Sequence, residues 1–446
     1  MNNHNLMTAD QLIDQLMSLH PKGYDLSLDR ITGLLAKLNN PQNKLPPVLH
    51  VAGTNGKGSF TAFARALLEA EGYKVHVHTS PHLVSWHERF RLAHEDGGKL
   101  VEDHVLANAI ARVAEANDGA AITVFEILSV VMFLLFSEHE ADVAIIEVGL
   151  GGRFDATNVI SDPAASIIMP VSLDHQMLLG DTPAKIAFEK AGIIKKNCPT
   201  IISAQPFDDA LDVIIAQAEK NRSAYSVFGQ DFAGFEEHGR FVYQDDAGLL
   251  DLPKPKLIGQ HQYANAATAI RAVKDAGFTV TQSSAETAMK SVYWPGRMQP
   301  LPKGNLVDMI SGLDAEIYID GGHNPDAANI IVNSIEQMDT RPLYLISAML
   351  NTKEPHDFFE KFAGKVEQVI TIPVVTSDAG IPEDDLAEIA KQSGLAAKSN
   401  DDLASALEAI SQLHKSSDHQ TPPRILICGS LYLVGDALAQ NATPPQ

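Results

Sequence analysis

Seven residues, Gly53-Thr54-Asn55-Gly56-Lys57-Gly58-Ser59, carry the chemistry that is easiest to name. They lie between an apolar run, VLHVA at Val48–Ala52, and a helical FTAFARALLEAEG. Small residues there let backbone N–H groups curl around a phosphate, and a helix start adds the positive end of its dipole. Lys57 would offset β/γ-phosphate charge, and the Ser59 hydroxyl could reach Mg²⁺. The spelling departs from G-x-x-x-x-G-K-[ST]: Val51 holds the first glycine position, and Gly58 separates Lys57 from Ser59. The alternative is a glycine-rich turn with no ligand. The strand before it and the helix after it favour a nucleotide.

Four further groups fall where ligands gather. Glu147 closes the strand AIIEVG, at the carboxyl end where open α/β sheets bind ligands, and a carboxylate near a phosphate loop suits Mg²⁺. An edge glutamate meeting solvent is the plain alternative. Asp174 and His175 follow SIIMPVS, again at a carboxyl end; a metal or proton-transfer role stands beside a solvated histidine. Lys190, in KIAFEKAGIIK among Ala187, Phe188 and Ile193, could lose its proton when packed, and a neutral amine can add CO₂ to become an anionic carbamate. From spacing alone, a snorkelling surface lysine is the better reading. Arg297 in WPGR, and Asp320, His323 and Asn324 in IYIDGGHNP, sit where two domains would meet, a common ligand site. Singly each could be linker or cap, with Asn324 before Pro325 an N-cap.

Those residues need elements to hold them. Helices are expected at Thr8–His20, Ser27–Leu38, 102–116 and 124–138, with Thr8 as a cap. Strands are expected at Val48–Ala52, KVHVHTS, ADVAIIEV and ASIIMPVS, with a polar stretch from Pro81 to Gly98 and a short helix at Pro183–Ala191. Strand–helix alternation over some 250 residues implies a P-loop-type, doubly wound, mostly parallel sheet. The cluster WPGRMQPLPKGN breaks the pattern, and alternation restarts beyond it in EIYID, RPLYLIS, QVITIPV and RILICGS. We therefore expect an ATP-binding domain over 1–296, a linker over 297–305, and a smaller Rossmann-like α/β domain over 306–446.

The 446 residues exceed one hydrophobic core. Apolar residues make up 45% and charged ones 20%, which excludes a disordered chain. A net charge of −22 repels nucleic acid and anionic membranes, while leaving room for an anionic small ligand in a local positive pocket. Cys198 and Cys428 form no CxxC pair and no zinc spacing, which suits a reducing cytoplasm. The start MNNHNLMTADQLIDQLM has no basic-then-apolar run. The most membrane-like stretch, Ile127–Phe136, is well short of the roughly 20 residues that cross a bilayer and reads as a buried helix.

Taken together, HVAGTNGKGS, TSPHL, EVGLGGRFDATN, SLDHxxxLG, EKAGIIK, GQHQYANAATA, WPGR and IDGGHNPDA resemble the folylpolyglutamate synthase/dihydrofolate synthase branch of the Mur ligase superfamily, in family order from residue 25 to about 330. The resemblance implies ATP-dependent amide ligation by a cytoplasmic monomer. It implies that Asn55, Gly56, Lys57 and Gly58 bind ATP phosphates, and that Asn265, Arg297 and Asp320 contact the nucleotide. Ser59, Ser80, Glu147 and His175 match Mg²⁺ positions, two ions in all, and Lys190 matches a carbamylated lysine. Pterin-side positions match Asp25, Leu26, Ser27 and Leu28 (DLSL), Thr123, Val124, Phe125 and Glu126 (TVFE), and Phe154, Asp155 and Ala156. Substrates would be ATP, L-glutamate, dihydropteroate and reduced folates, with no nucleic acid and no membrane as partner. The γ-phosphoryl would pass to a carboxylate, and glutamate's amine would attack the acyl phosphate, with His323 a candidate proton acceptor. A monofunctional folylpolyglutamate synthase is the nearest rival. A cell-wall Mur ligase and a non-catalytic P-loop module are further off.

Overall fold

A computed structural model describes residues 7–19 and 27–446. The chain divides into two compact units. One runs through Pro255 and adds Tyr263–Val292 and Gln446; the other comprises Lys256–Gln262 and Tyr293–Pro445. The break after Val292 therefore precedes the expected one at 296, and a short upstream segment groups with the second unit. The stretch 297–305, expected as linker, carries the strand Gln299–Pro300, which pairs antiparallel with Glu316–Asp320.

The first unit is built on an eight-stranded sheet. Its order is Lys99–Leu100, Phe90–Leu92, Val75–His78, Val143–Glu147, Val48–Ala52, Ala165–Ile168, Thr200–Ile202, Tyr225–Val227. The six strands from Val75–His78 onward are parallel, as the sequence pattern requires. Val48–Ala52, Val143–Glu147 and Ala165–Ile168 are buried at every position, the mark of parallel strands covered on both faces. Register then decides the site. Val51 lies opposite Glu147 and Ala52 opposite Ile168, so the residues following three neighbouring strands emerge together.

Val124–Glu138 is a helix capped by a reciprocal pair, Thr123 with Glu126, and buried on all sides from Ile127 to Phe136. Among the described residues no helix is long and apolar enough to cross a membrane.

Two regions depart from simple alternation. The edge strands Phe90–Leu92 and Lys99–Leu100 arise within or beside the stretch read as polar loop, and both pair antiparallel. Phe232–Glu237, Arg240–Asp245 and Gly248–Leu252 form a separate antiparallel meander. Its first turn holds His238 and Gly239 at φ 49° and 78°, a left-handed hairpin geometry that EHGR encodes and that uninterrupted strand–helix alternation does not anticipate.

The second unit holds a six-stranded sheet in the order Gln299–Pro300, Glu316–Asp320, Arg424–Cys428, Leu343–Ser347, Gln368–Thr371, Ala397–Ser399. All pairings but the first are parallel. The apolar faces of this sheet and its helices enclose Leu345, Phe358, Phe359, Phe362 and Leu426.

Candidate active site

The glycines of the phosphate loop are fixed by close approach. A Cβ on Gly53 would lie 2.6 Å from that of Met169, and one on Gly56 would lie 3.0 Å from Asn265 Oδ1. Gly56, at φ 84°, is also the N-cap of the helix Lys57–Ala70. Thr54 N and Asn55 N donate to Pro170 O at 2.9 and 3.2 Å, and Thr54 Oγ1 and Ser172 N are 3.0 Å apart. The loop is thus stapled to the chain after Ala165–Ile168, and buried Asn265 on the helix His261–Asp275 packs beside it.

Two lysines converge on one carbonyl. Lys57 Nζ donates to Gly53 O at 2.9 Å, and Lys190 Nζ donates to the same oxygen at 3.0 Å. Glu147 Oε1 is 3.8 Å from Lys57 Nζ. Lys190 is only 5% exposed, at the end of the helix Pro183–Lys190, so the snorkelling surface reading is overturned. Gly152 allows this packing, since a Cβ there would meet Lys190 O at 2.7 Å. Glu147 is equally buried rather than a solvent edge, and Ser59 is buried in the first turn after the loop. Ser80 follows the strand Val75–His78 and is half-buried. His175 is exposed, in left-handed backbone at φ 51°, with Asp174 Oδ1 accepting its N–H.

Beyond Glu147 the same turn reaches a second feature, a cavity of about 570 Å³ with mainly apolar walls. Its lining brings together Ser27, the whole of Thr123–Glu126 and Phe154–Ala156, three stretches far apart in sequence. Leu28 instead packs on the adjoining core, and Asp25 and Leu26 lie outside the described residues. Thr123 and Glu126 are occupied locally. They cap their helix, and Glu126 accepts Arg30 Nε on both oxygens at 3.1 Å. Phe125 is seated against Gly149, where a Cβ would lie 2.2 Å from its Cζ. Asp155 accepts Gly149 N and Leu150 N on Oδ2, and Thr157 N and Oγ1 on Oδ1. Burial pushes its carboxyl above the usual carboxylate range, against those four donors.

Trp86, Arg89 and Arg30 also line this cavity, and sequence reasoning missed all three. The Arg89 guanidinium lies over the Trp86 ring at 4.6 Å, and its Nε donates to His82 Nδ1 at 3.0 Å. Burial and that guanidinium hold His82 down to about 3. One of only two tryptophans in the chain, set in an otherwise polar stretch, was the available signal.

In the second unit the pairing Gln299–Ile319 sets Arg297 beside Asp320 despite their separation in sequence. Asp320 is buried. Its oxygens accept Met298 N at 2.8 Å and Gly322 N at 2.7 Å. Burial raises its carboxyl, opposed by the Arg297 charge. His323 Nδ1–H donates to Gly321 O at 2.8 Å, which fixes the orientation of the ring. Asn324 caps the helix Pro325–Glu336, so its cap reading stands.

Residues 51–273 match the Mur ligase middle domain, and residues 305–440 match the dihydrofolate synthetase C-terminal domain. The folylpolyglutamate synthase of Lacticaseibacillus casei is 32% identical over 79% of this chain and 82% of its own length. The structure of Escherichia coli FolC in complex with DHPP and ADP superposes with a TM-score of 0.85 at 28% identity, covering 98% of both chains. A bifunctional folylpolyglutamate synthase/dihydrofolate synthase with Mn, AMPPNP and L-glutamate bound superposes with a TM-score of 0.83 at 26% identity, over 97% of this chain and 99% of that one. With a phosphate loop pinned by its neighbours, two lysines meeting on one loop carbonyl and an apolar cavity one turn away, these matches make the chain a member of the dihydrofolate synthase/folylpolyglutamate synthase family of Mur ligases.

Proposed function

We propose that the phosphate loop and the cavity are the two halves of one ATP-dependent ligase site, which joins L-glutamate to dihydropteroate and to reduced folates. The observation that carries the acceptor class is the cavity. Ser27, Thr123–Glu126 and Phe154–Ala156 form one apolar, aromatic-lined space fit for a flat heterocycle. Glu147 and the cavity's Asp155 lie on one turn only eight residues apart, so the nucleotide side and the acceptor side are joined by the shortest covalent path.

In our reading Asn55, Gly56, Lys57 and Gly58 hold the ATP phosphates, with Asn265, Arg297 and Asp320 as the remaining nucleotide contacts. Ser59, Ser80, Glu147 and His175 are the residues that would hold divalent metal. Hydroxyl and carboxylate oxygens suit Mg²⁺, with His175 the one nitrogen donor of the set, and buried Glu147 beside the loop lysine fits a cation-binding position. Bound metal would supply charge neutralisation between the β- and γ-phosphates. We assign two ions. Carbamylation of Lys190, in which the ammonium gives up one proton, the free amine adds CO₂ and the carbamic acid gives up a second proton, would replace one of two ammonium groups crowding Gly53 O by an anion.

The residues' work follows from the chemistry. A carboxylate and an ammonium do not condense in water, since hydroxide leaves poorly and the amine is protonated. Lys57 offsets the charge that builds as the γ-phosphoryl moves to the acceptor carboxylate. The amine of glutamate then attacks the acyl carbon, and phosphate departs with the C–O bond's electrons. His323 Nε2 is our choice for accepting the amine proton. The apolar cavity walls keep water from the acyl phosphate.

ADP release, measured with dihydropteroate, tetrahydrofolate and a UDP-muramoyl acceptor side by side in the presence of L-glutamate, tests this reading. We expect turnover with the first two and none with the third. No ADP release with either pteroyl compound refutes it.

A further inference from the structure

One buried polar group behind the cavity has no part in the reaction just described. His50 lies in the middle of the strand Val48–Ala52 and is fully buried. A strand covered on both faces would ordinarily carry an aliphatic residue there. His50 Nε2 is 2.8 Å from Thr157 Oγ1, and Thr157 Oγ1 donates to Asp155 Oδ1 at 2.5 Å. Nδ1 has no hydrogen-bond partner among the described residues.

The direction of these bonds follows from counting protons. Three backbone N–H groups already donate to the Asp155 oxygens, so the carboxylate acts as an acceptor and the single Thr157 hydroxyl proton points at it. The Thr157 oxygen must then accept, and His50 carries its proton on Nε2. Nδ1, which has no hydrogen-bond partner among the described residues, is then a bare acceptor. Burial, with a smaller push from the Lys195 charge, holds His50 down to about 3, so the ring stays neutral at working pH.

We propose that His50 is a positioning residue for acceptor recognition: by donating Nε2–H to Thr157 it commits the Thr157 hydroxyl to Asp155 and so fixes the carboxylate in the cavity wall. The proposal rests on the reading of that cavity as the pteroyl site. His50 touches no substrate; its effect passes through Thr157 and Asp155. Asp155 in turn gathers Gly149 N and Leu150 N, and Leu150 lines the cavity, so one misplaced carboxylate disturbs both.

The test is steady-state kinetics on His50→Leu, His50→Gln, Thr157→Val and Thr157→Ser, with KM determined separately for dihydropteroate, ATP and L-glutamate. Loss of one hydrogen bond predicts a dihydropteroate KM raised about tenfold in His50→Leu and Thr157→Val, with the ATP KM unchanged. His50→Gln keeps an N–H donor and should recover most of the loss, as should Thr157→Ser. The double variant His50→Leu/Thr157→Val should be no worse than either single one. An unchanged dihydropteroate KM in a folded His50→Leu overturns the proposal. So does an ATP KM that rises in parallel, which would make His50 a prop for the strand and its loop. If His50→Leu does not fold, Thr157→Val and Thr157→Ser carry the test alone, and equal KM values for these two overturn it. Failure of the site reading shows separately, as unmutated protein that releases no ADP with dihydropteroate and glutamate.

Discussion

The turn after the strand Val143–Glu147 joins two regions of opposite design. At its start, charge is concentrated: Lys57 and Lys190 meet on Gly53 O, and Glu147 stands 3.8 Å from Lys57. At its end, the charged groups are tied down and the walls are mainly apolar, with Arg30 paired to Glu126 and Asp155 held by four hydrogen-bond donors. Charge held in place is useful where a reaction moves charge, because the protein need not reorganise. Recognition of a flat, largely apolar body needs shape, and there a loose charge would only cost desolvation. Substitutions at the first region should therefore strike kcat, and those at the second the acceptor KM.

The largest effect is expected for Lys57→Ala. Removing a positioned cation from the phosphate loop should lower kcat by about a hundred- to a thousandfold with little change in the dihydropteroate KM. A tenfold rise in that KM with kcat intact would erase the distinction between the regions. Next comes Lys190→Ala, for which we expect kcat lower by about a hundredfold. If Lys190 is carbamylated, intact-protein mass spectrometry should find one added CO₂ on the unmutated chain and none on the variant, and bicarbonate should raise the activity of enzyme prepared without CO₂. An unmodified mass with full activity removes the carbamate from the account.

The two regions also differ in how well the sequence revealed them. GTNGKGS announced itself because a glycine loop between strand and helix has few other uses, and Val48–Ala52 and the helix from Val124 fall where apolar patterning puts them. Short-range pattern could not show that Lys190 is buried, since that depends on Gly152 and Gly53 reached from other segments. Trp86 and Arg89 were hidden for the same reason. Their stretch is locally polar, and only pairing of Phe90–Leu92 with Val75–His78 turns it toward the cavity. The antiparallel meander at 232–252 was lost in a reading that expected alternation, although its turn residues were present.

A smaller and more selective effect is expected at Gly149. An added methyl would lie 2.2 Å from Phe125 Cζ, and since a ring can turn more easily than backbone can shift, Gly149→Ala should push Phe125 into the cavity. The dihydropteroate KM should rise about tenfold, with a stability loss of about 1–3 kcal/mol by thermal unfolding and an unchanged ATP KM. An ATP KM raised to the same degree would show that the displacement runs back along the turn to Glu147 and the phosphate loop.

The mildest prediction concerns acid, and it belongs to the acceptor region. His50 and His78 both lie opposite Ile146, one on each neighbouring strand, and His76 lies opposite Ala144. His50 holds Thr157, and His78 Nδ1 bonds Arg89 O at 2.8 Å, so two of the three brace the cavity from behind. Burial lowers these histidines from 6.5 to about 3, 4 and 3 for His50, His76 and His78. The unfolded chain takes up their protons near 6.5 and the folded chain does not, so their contribution is intact above that pH and is lost as pH falls toward 3 to 4. Each should cost about 1 kcal/mol on going from pH 8 to about pH 6, read as a melting temperature that drops by several degrees. His50→Gln and His78→Gln, which have no proton to gain, should flatten that slope even if they lower the melting temperature at pH 8. A slope unchanged in both variants would mean that other groups set the acid limit, and that the imidazoles behind the cavity serve its geometry alone.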